Sequence, residues 1–308
     1  MKLGKIFSGV HWFSTLMVYL RVTRVESWLG WIFSFGLGSI ILSLPPLDYF
    51  LVALFAFSLA TASIFILNQY FDRKEDQGNA FKSNLPVASG RIAPQTALIL
   101  SFSLIILCLF LVSLINSSLV LLFFIYIAIW TAYSVPPLRL KTVPGVDFVT
   151  SGIGAGFMPF LMGLELTDKL SSDVLLILLG AVPLMLIHCS GHVIQAIGDY
   201  EVDHKMGIHT FVVRYGRKNG TVVAGFMFIL ACFAPLAYSI FGLLPYKHLF
   251  LFFVFFPLSV PIIKCYANVL KEPSTKNVIC LQKTATKYGI IWMAVTLGYL
   301  LLVKILGF

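Results

Sequence analysis

Two stretches of the chain repeat one pattern of amides and acids: Asn68-Gln-Tyr-Phe-Asp72-Arg-Lys-Glu-Asp76 and Gln195-Ala-Ile-Gly-Asp199-Tyr-Glu-Val-Asp203. In each stretch an amide and two aspartates follow at intervals of four residues, and the differences 195 − 68, 199 − 72 and 203 − 76 all equal 127. Side chains four residues apart lie on the same face of a helix. We call these stretches the first and the second ladder. Their repetition predicts one domain, 1–308, built from two related halves of about 1–141 and 142–308.

The composition around the ladders is that of a membrane protein. Of the 308 residues, 59% are hydrophobic and 11% are charged, against roughly half and a quarter in soluble domains. Runs close to the roughly 20 residues that cross a bilayer occur at nine places: 28–45, 49–67, 92–115, 117–134, 148–164, 174–197, 220–244, 249–263 and 288–303. We therefore predict an all-α, polytopic membrane protein with about nine transmembrane helices.

The positive charges indicate how these helices are oriented. If the predicted spans alternate in direction, 19 of the 22 lysines and arginines fall on one side, and cytoplasmic loops are the ones that carry such an excess. Both ladders are then cytoplasmic, and the expected location is the cytoplasmic or plasma membrane of a prokaryote. The net charge of +9 reflects this topology and the lipid surface, so no nucleic-acid partner is expected.

Two further features carry no predicted chemistry. Residues 5–20 contain aromatic side chains among small and apolar ones, which favours an interfacial helix before the first span. Five cysteines lack the Cys-x-x-Cys spacing of a metal or redox site, and we interpret them as packing residues: Cys108, Cys189, Cys232, Cys265 and Cys280.

The ladders themselves predict a metal site. Four carboxylates at one place would repel one another and lose charge, so a cation is required. Carboxylate and amide oxygens suit Mg²⁺ rather than zinc, and Mg²⁺ commonly keeps positions for phosphate oxygens. The predicted catalytic residues are Asp72, Asp76, Asp199 and Asp203, and with Asn68 they are the predicted metal ligands. Each acid alone also fits a solvated charge, but a solvated loop needs neither helical spacing nor a repeat.

Six residues near the ladders are predicted to bind a pyrophosphate and stabilise it as a leaving group: Lys82, Tyr133, Arg139, Lys141, Lys205 and His209. The alternative for each basic residue is that it serves only the positive-inside topology.

The chain resembles the UbiA family of intramembrane prenyltransferases. That family has Asn-(Asp)-x-x-Asp-x-x-x-Asp after its second helix and Asp-x-x-x-Asp after its sixth, as the two ladders do. Its Tyr-Ser-x-Pro-Pro-Leu-Arg-x-Lys segment is present at 133–141, and a close form of its Lys-Thr segment is present at 209–216. The resemblance covers nearly the whole chain.

The resemblance implies nine transmembrane helices around a central cavity capped by the two acidic loops. It implies two Mg²⁺ ions that join the aspartates to a prenyl pyrophosphate, which ionises to an allylic cation captured by a lipophilic or aromatic acceptor. The expected activity is therefore prenyl transfer within the membrane, with the prenyl pyrophosphate, the acceptor and the lipid bilayer as partners.

Four positions depart from the family pattern. Gln69 replaces a second acidic residue, Leu85 and Gly198 replace arginines, and His209 replaces a lysine. The metal ligands are unaffected, but the pyrophosphate site is expected to be less basic than in most members. The acceptor stays open among an aromatic acid, a hydroxynaphthoate, a glycerol-phosphate ether lipid, a porphyrin and a carotenoid, and so do prenyl chain length and oligomeric state.

Two histidines lie deeper on the helix of the second ladder. His188 and His192 precede Asp199 by eleven and seven residues and share its face. With Gln195 they are predicted to line the acceptor end of the cavity. The alternative is that they are buried histidines satisfied by neighbouring hydroxyls or carbonyls.

Two other functions compete with prenyl transfer. A cation-coupled transporter would carry its acids near the bilayer midplane on broken helices, whereas these acids lie at helix ends. A CDP-alcohol phosphotransferase would need an Asp-Gly-x-x-Ala-Arg segment, which this sequence lacks.

Overall fold

The computed structural model describes residues 16–79, 82–167, 174–243 and 249–306, and these ranges contain helices and no strand. The all-α prediction is confirmed. In chain order the helices are α1 (16–22), α2 (Leu29–Ile40), α3 (Leu47–Gly78), α4 (Pro94–Ser113), α5 (Ser117–Ser134), α6 (Val146–Glu165, with a π turn at Ile153–Phe157), α7 (Val174–Lys205), α8 (Phe211–Tyr215), α9 (Arg217–Ile240), α10 (Leu249–Lys271) and α11 (Thr275–Leu306).

Among the described residues, eight helices are long and apolar enough to cross a membrane, so this is an integral membrane protein. They are α3 to α7 and α9 to α11. The first predicted span contains α2, an apolar helix of 12 residues, which is shorter than a bilayer crossing needs. Of the predicted interfacial helix, 16–20 lie within α1, and 5–15 lie outside the described residues.

The ladder repeat extends to the ends of two pairs of helices. Helix α3 ends at Gly78 and helix α7 ends at Lys205, and these ends (205 − 78) differ by the same 127 positions as the ladders. Helices α4 and α9 end with this difference too, at Ser113 and Ile240. The helix boundaries thus follow the repeat seen in the ladders, while the division at 141 stays a prediction.

The chain forms two compact units. The first contains the described residues up to Leu29 together with Leu51–Arg139, and the second contains Gly30–Phe50 with Leu140 onward. The first ladder belongs to the first unit and the second ladder to the second unit.

Polar contacts between helices organise the core of the first unit. The hydroxyl of Tyr126 on α5 lies 3.1 Å from Thr61 Oγ1 on α3, and both side chains are buried. Ser101 on α4 donates a hydrogen bond to the carbonyl of Ser63 on α3 at 2.9 Å. Buried hydroxyls need such partners, especially in lipid. These bonds fix α4 and α5 against the helix that carries the first ladder.

In the second unit, α2 and α6 pack backbone against backbone. A Cβ added at Gly38 would lie 2.0 Å from the carbonyl oxygen of Phe160, and one added at Gly163 would lie 2.0 Å from that of Phe35. No side chain fits at either position, so glycine is required for this close approach.

Candidate metal and diphosphate site

The first ladder occupies the last turns of α3. Asn68, Asp72 and Asp76 follow one another at four-residue steps, and the two aspartates are each only 7% exposed. Buried carboxylates require hydrogen bonds and a counter-charge. The predicted alignment on one helix face is therefore present, and its surroundings determine what the acids can bind.

Asn68 is held by two neighbours. Its Nδ2 donates to Asp72 Oδ2 at 2.7 Å and to Ser134 Oγ, at the end of α5, at 3.1 Å. Because both contacts use the NH₂ group, the amide oxygen is the atom of Asn68 that can bind a cation. Ser134 thus orients the amide and, through it, one oxygen of Asp72.

Arg139 provides positive charge beside the first ladder. Its Nη2 lies 3.2 Å from Asp72 Oδ1 and 2.6 Å from both carboxylate oxygens of Glu75. Arg139 follows a Pro-Pro turn and has a left-handed backbone with φ of 41°. Burial lowers the pKa of the guanidinium, but the hydrogen bonds and charges of Glu75 and Asp72 outweigh burial and raise it. Arg139 therefore stays charged at any physiological pH.

Gln69 points away from the ladder. Its side chain is buried, and Nε2 donates to the carbonyl oxygen of Val22 at 2.7 Å. Residue 69 is one helical position from Asn68, so the two side chains diverge by about 100°. Gln69 fastens α3 to the end of α1, and its departure from the family pattern leaves the ladder face unchanged.

The second ladder lies at the end of α7, in the second unit. Gln195 is exposed, and Asp199 and Asp203 are half-buried. The same face continues deeper through His188 and His192, and a Cβ at the neighbouring Gly191 would meet no atom within 4 Å. A polar, accessible stripe therefore runs along α7 from the ladder to the level of the histidines.

His188 contacts helix α2. Its Nε2 lies 3.4 Å from Ser34 Oγ, and this hydroxyl donates a hydrogen bond to the carbonyl oxygen of Gly30 at 3.0 Å. A Cβ at Gly30 would lie 2.9 Å from His188 Cε1. A hydroxyl partner of this kind is typical of a structural histidine, and the acceptor role of His188, His192 and Gln195 stays a prediction.

The segment after the second ladder is organised by Asp147. This buried carboxylate at the start of α6 accepts hydrogen bonds from the backbone N–H groups of Gly145 and Phe211, both at 2.8 Å. Thr210 caps α8 by accepting from Val213 N at 3.3 Å. These bonds set the course of 209–216, the segment that carries His209.

Arg217 fixes the end of α7 that carries the second ladder. Its guanidinium lies 4.5 Å from the ring centroid of Tyr200 and contacts Glu201, and Nη1 donates to the carbonyl of Pro273 at 3.2 Å. Tyr200 and Glu201 stand between the two aspartates of the second ladder. Arg217 therefore ties that ladder to the start of α9 and to the α10–α11 turn.

The other residues predicted to bind pyrophosphate are accessible. Lys205 and His209 are exposed, while Lys82, Tyr133 and Lys141 are half-buried. The Tyr133 ring packs edge-on against Trp130 with centroids 5.2 Å apart. Among the residues predicted to bind pyrophosphate, Arg139 contacts a ladder carboxylate, that of Asp72. The other oxygen of this carboxylate accepts the hydrogen bond from Asn68.

The donor atoms of the first ladder fit Mg²⁺. They are an amide oxygen and two carboxylates, all hard oxygen ligands. Asp72 and Asp76 are buried, and the guanidinium of Arg139 lies beside Asp72 as a counter-charge. Within the described ranges, no three His, Cys, Asp or Glu side chains form a ready-made set of metal ligands. The assignment of Asn68, Asp72, Asp76, Asp199 and Asp203 as ligands stays a prediction.

Sequence reasoning missed four residues that shape these sites. Ser134 lies inside the Tyr-Ser segment at 133–141, and Glu75 lies three residues after Asp72. The position of each in or beside a family motif could have identified it as a site residue. Asp147 directly precedes a predicted span, and an acid at that point is unusual enough to have been noticed. Arg217 had no signal, because its partners are distant in sequence.

The sequence profile of the UbiA prenyltransferase family matches residues 29–286 of this chain. The chain belongs to the UbiA prenyltransferase family. The resemblance inferred from the two ladders is thereby confirmed.

Curated relatives of the chain have names that refer to different compounds. The chain is 29% identical over 184 residues to a 2-acylphloroglucinol 4-prenyltransferase of Humulus lupulus, covering 56% of this chain and 43% of that protein. It is 26% identical over 204 residues to a lycopene elongase/hydratase of Haloarcula japonica, covering 63% and 64%. It is 29% identical over 168 residues to a digeranylgeranylglyceryl phosphate synthase of Methanothrix thermoacetophila, covering 54% and 58%. The chain thus spans about half the length of these relatives.

Solved structures of UbiA homologues share the fold. A homologue from Archaeoglobus fulgidus bound to GPP and Mg²⁺ superposes with a TM-score of 0.71 at 21% identity, covering 93% of this chain and 99% of that one. The apo homologue from Aeropyrum pernix K1 gives 0.65 at 16% identity, covering 88% and 99%. At these identities the likeness shows the fold alone.

Proposed function

We propose that this chain is a Mg²⁺-dependent membrane prenyltransferase that transfers an isoprenyl chain from a prenyl pyrophosphate to a lipophilic or aromatic acceptor. The observation that carries the proposal is the contact network of Asn68 and Asp72 with Ser134 and Arg139. It joins the first ladder and the segment 133–141, which are the two family motifs of the first unit. The resulting site is rich in oxygen ligands, and Arg139 offsets part of its negative charge.

The relatives support this reaction class. The hop and archaeal relatives are named as prenyltransferase, lycopene elongase/hydratase and digeranylgeranylglyceryl phosphate synthase. A homologue with the same fold was solved with GPP and Mg²⁺. Since these names refer to different compounds, they support prenyl transfer and leave the acceptor of this chain open.

The ladders are the proposed ligands of two Mg²⁺ ions: Asn68, Asp72, Asp76, Asp199 and Asp203. Bound Mg²⁺ would neutralise the pyrophosphate as it leaves the allylic carbon. Arg139, Lys82, Tyr133, Lys141, Lys205 and His209 are the proposed residues that bind and orient the pyrophosphate oxygens. The apolar helices keep bulk water from the reacting carbon, because a hydrolysed allylic cation cannot prenylate an acceptor.

The reaction is proposed to take place at the cytoplasmic face of a prokaryotic membrane. Both ladders stand at the ends of spanning helices, α3 and α7, and their loops hold most of the lysines and arginines. A soluble pyrophosphate head group would then approach from the cytoplasm while its isoprenyl tail lies among apolar helices.

The test uses the purified chain in detergent or nanodiscs. Prenyl pyrophosphates of several lengths, Mg²⁺ and an extract of the native membrane are combined, and mass spectrometry records prenylated products and released pyrophosphate. Asp72→Asn and Asp199→Asn are expected to lower turnover by roughly 100-fold or more, the scale of losing an electrostatic stabiliser of the transition state.

Asp48→Asn is the matched control, because Asp48 is exposed in the first turn of the same helix that carries the first ladder. This variant should keep full activity. Undiminished turnover in EDTA, or in both ladder variants, would refute the metal-dependent reaction.

A further inference from the structure

The guanidinium of Arg139 is shared unequally between two carboxylates. Nη2 lies 2.6 Å from both oxygens of Glu75 and 3.2 Å from Oδ1 of Asp72. Charge-assisted N–H···O bonds are strongest at about 2.7–2.9 Å and weaken with length. Glu75 is therefore the principal partner of Arg139, and Asp72 is the secondary one.

The two carboxylates differ in their surroundings. The Asp72 side chain is 10% exposed, while those of Glu75 and Arg139 are each 25% exposed. A buried carboxylate attracts a guanidinium more strongly than a wetter one, because its charge is less screened. Without Glu75, Arg139 would be expected to settle fully on Asp72.

Full pairing with Arg139 would hinder cation binding at Asp72. Asp72 Oδ2 already accepts a hydrogen bond from Asn68 at 2.7 Å. A guanidinium in two-point contact would occupy further lone pairs of the carboxylate and neutralise the charge that draws a divalent cation. Arg139 is in this sense an internal competitor of the metal.

We propose that Glu75 is a positioning residue that restrains Arg139 and so keeps Asp72 available to a divalent cation. This inference rests on the proposed metal role of Asp72 and deepens it. Glu75 is not one of the ladder positions; it stands three residues after Asp72, close enough on the helix for one guanidinium to reach both acids. Arg139 is held ready beside the metal site without blocking it.

A simpler explanation must be separated from this one. The negative charge of Glu75 alone would attract a divalent cation, and its removal would weaken binding whatever Arg139 does. The two explanations differ in coupling. Charge alone predicts that the effect of removing Arg139 is the same with and without Glu75, whereas restraint predicts a much larger effect when Glu75 is absent.

The experiment is a double-mutant cycle on Mn²⁺ binding by the full chain, without substrate, followed by the EPR signal of free Mn²⁺. Glu75→Gln is expected to weaken Mn²⁺ binding about tenfold, and adding Arg139→Gln to that variant should recover most of the loss. In the wild-type background Arg139→Gln should change the affinity by less than about threefold. Equal effects of Arg139→Gln in both backgrounds would overturn the restraint.

Glu75→Asp provides a second, conservative variant. It keeps the charge but withdraws the carboxylate from Arg139 by about one methylene length. If Glu75 acts by restraining Arg139, Glu75→Asp should weaken Mn²⁺ binding, and adding Arg139→Gln should restore it. If only the negative charge of Glu75 matters, Glu75→Asp should bind Mn²⁺ as the wild type does, and this result would count against the proposal. Thermal unfolding of each variant checks that it is folded.

Asp72→Asn separates failure of this inference from failure of the proposed function. If Asp72→Asn loses Mn²⁺ binding and the cycle shows no coupling, only the role of Glu75 is wrong. If Asp72→Asn binds Mn²⁺ as the wild type does, the proposed metal role of Asp72 is wrong, and so is the proposed role of Glu75 in restraining Arg139.

Discussion

The carboxylate of Asp147 accepts a hydrogen bond from the backbone N–H of Phe211 at 2.8 Å, although 64 residues separate them in the chain. Its other oxygen accepts from Gly145 N at 2.8 Å, and the residue is 1% exposed. Both oxygens of a buried acid are thus used to hold backbone. The segment that follows the second ladder owes its course to this one side chain.

Replacement of Asp147 should therefore destabilise the second unit. In Asp147→Asn, the carboxamide offers one acceptor oxygen in place of two, so one of the two N–H groups loses its partner. An unsatisfied buried group costs roughly 1–3 kcal/mol, and the thermal unfolding midpoint should fall accordingly. Asp48→Asn, at an exposed site, should leave the midpoint unchanged. An unaltered midpoint in Asp147→Asn would contradict the assigned role.

The sequence predicted those features that depend on spacing and solubility. Apolar runs give the spanning helices, and the four-residue steps place Asn68, Asp72 and Asp76 on one face because a helix has 3.6 residues per turn. The offset of 127 even carried over to the ends of α3 and α7. Each of these features is set by residues close together in the chain, or repeats such a local pattern in the other half.

The partners of these residues could not be predicted in the same way. The contact of Arg139 with Glu75 depends on the left-handed backbone at Arg139 after the Pro-Pro turn. The burial of Asp147 depends on a segment 64 residues away. Gln69 could be identified as a departure, but its bond to Val22 needs the packing of α3 against another segment. Such contacts are set by tertiary structure and leave no periodic trace in the chain.

Ser134→Ala should weaken divalent cation binding. Ser134 Oγ accepts a hydrogen bond from Asn68 Nδ2, and its loss would free the amide to rotate away from the ladder. Loss of a residue that orients a metal ligand typically costs 10- to 100-fold in affinity, and a fall of about tenfold in Mn²⁺ affinity is expected. Ser113→Ala, at the exposed end of α4, is the control. Identical affinities would show that Asn68 needs no support from Ser134.

His188→Ala should lower stability and leave the pyrophosphate site intact. The imidazole is a partner of Ser34, so its removal should lower the free energy of unfolding by roughly 1–3 kcal/mol. Gly30→Ala should act in the same direction, because its methyl group would press on the ring at 2.9 Å. Binding of a non-reactive prenyl thiopyrophosphate should not change.

His209→Ala is the control for stability, since His209 is exposed. Unchanged unfolding midpoints in both His188→Ala and Gly30→Ala would exclude a structural role. Loss of acceptor capture with normal stability would favour the predicted acceptor role of His188 instead.

Cys265 and Cys280 should form a disulfide under mild oxidation. Both are free thiols, and their sulfurs lie 3.9 Å apart across the α10–α11 hairpin. A disulfide needs about 2.05 Å, so a small movement suffices. Diamide would take two electrons and two protons from the thiols and become the hydrazine. Peptide mass spectrometry should show the pair linked with the loss of two hydrogens.

The other cysteines serve as internal controls. Cys108, Cys189 and Cys232 are buried and should remain alkylatable after denaturation, and Cys265→Ser should abolish the linked peptide. Two thiols that both remain alkylatable after diamide treatment would show that the hairpin cannot bring the sulfurs together.

The loops at the two ladders should face one compartment. Four spanning helices from α4 to α7 lead from the end of the first ladder to the end of the second, so alternation returns the chain to the same side. In a background with the native cysteines replaced, Ser83→Cys and Lys218→Cys should react with an impermeant thiol reagent only from the cytoplasmic side. Ser117→Cys, exposed between α4 and α5, should react only from the opposite side. Reaction of all three from one side would overturn both the number of spans and the cytoplasmic placement of the ladders, whereas inverted but separate reactivity would overturn only the orientation.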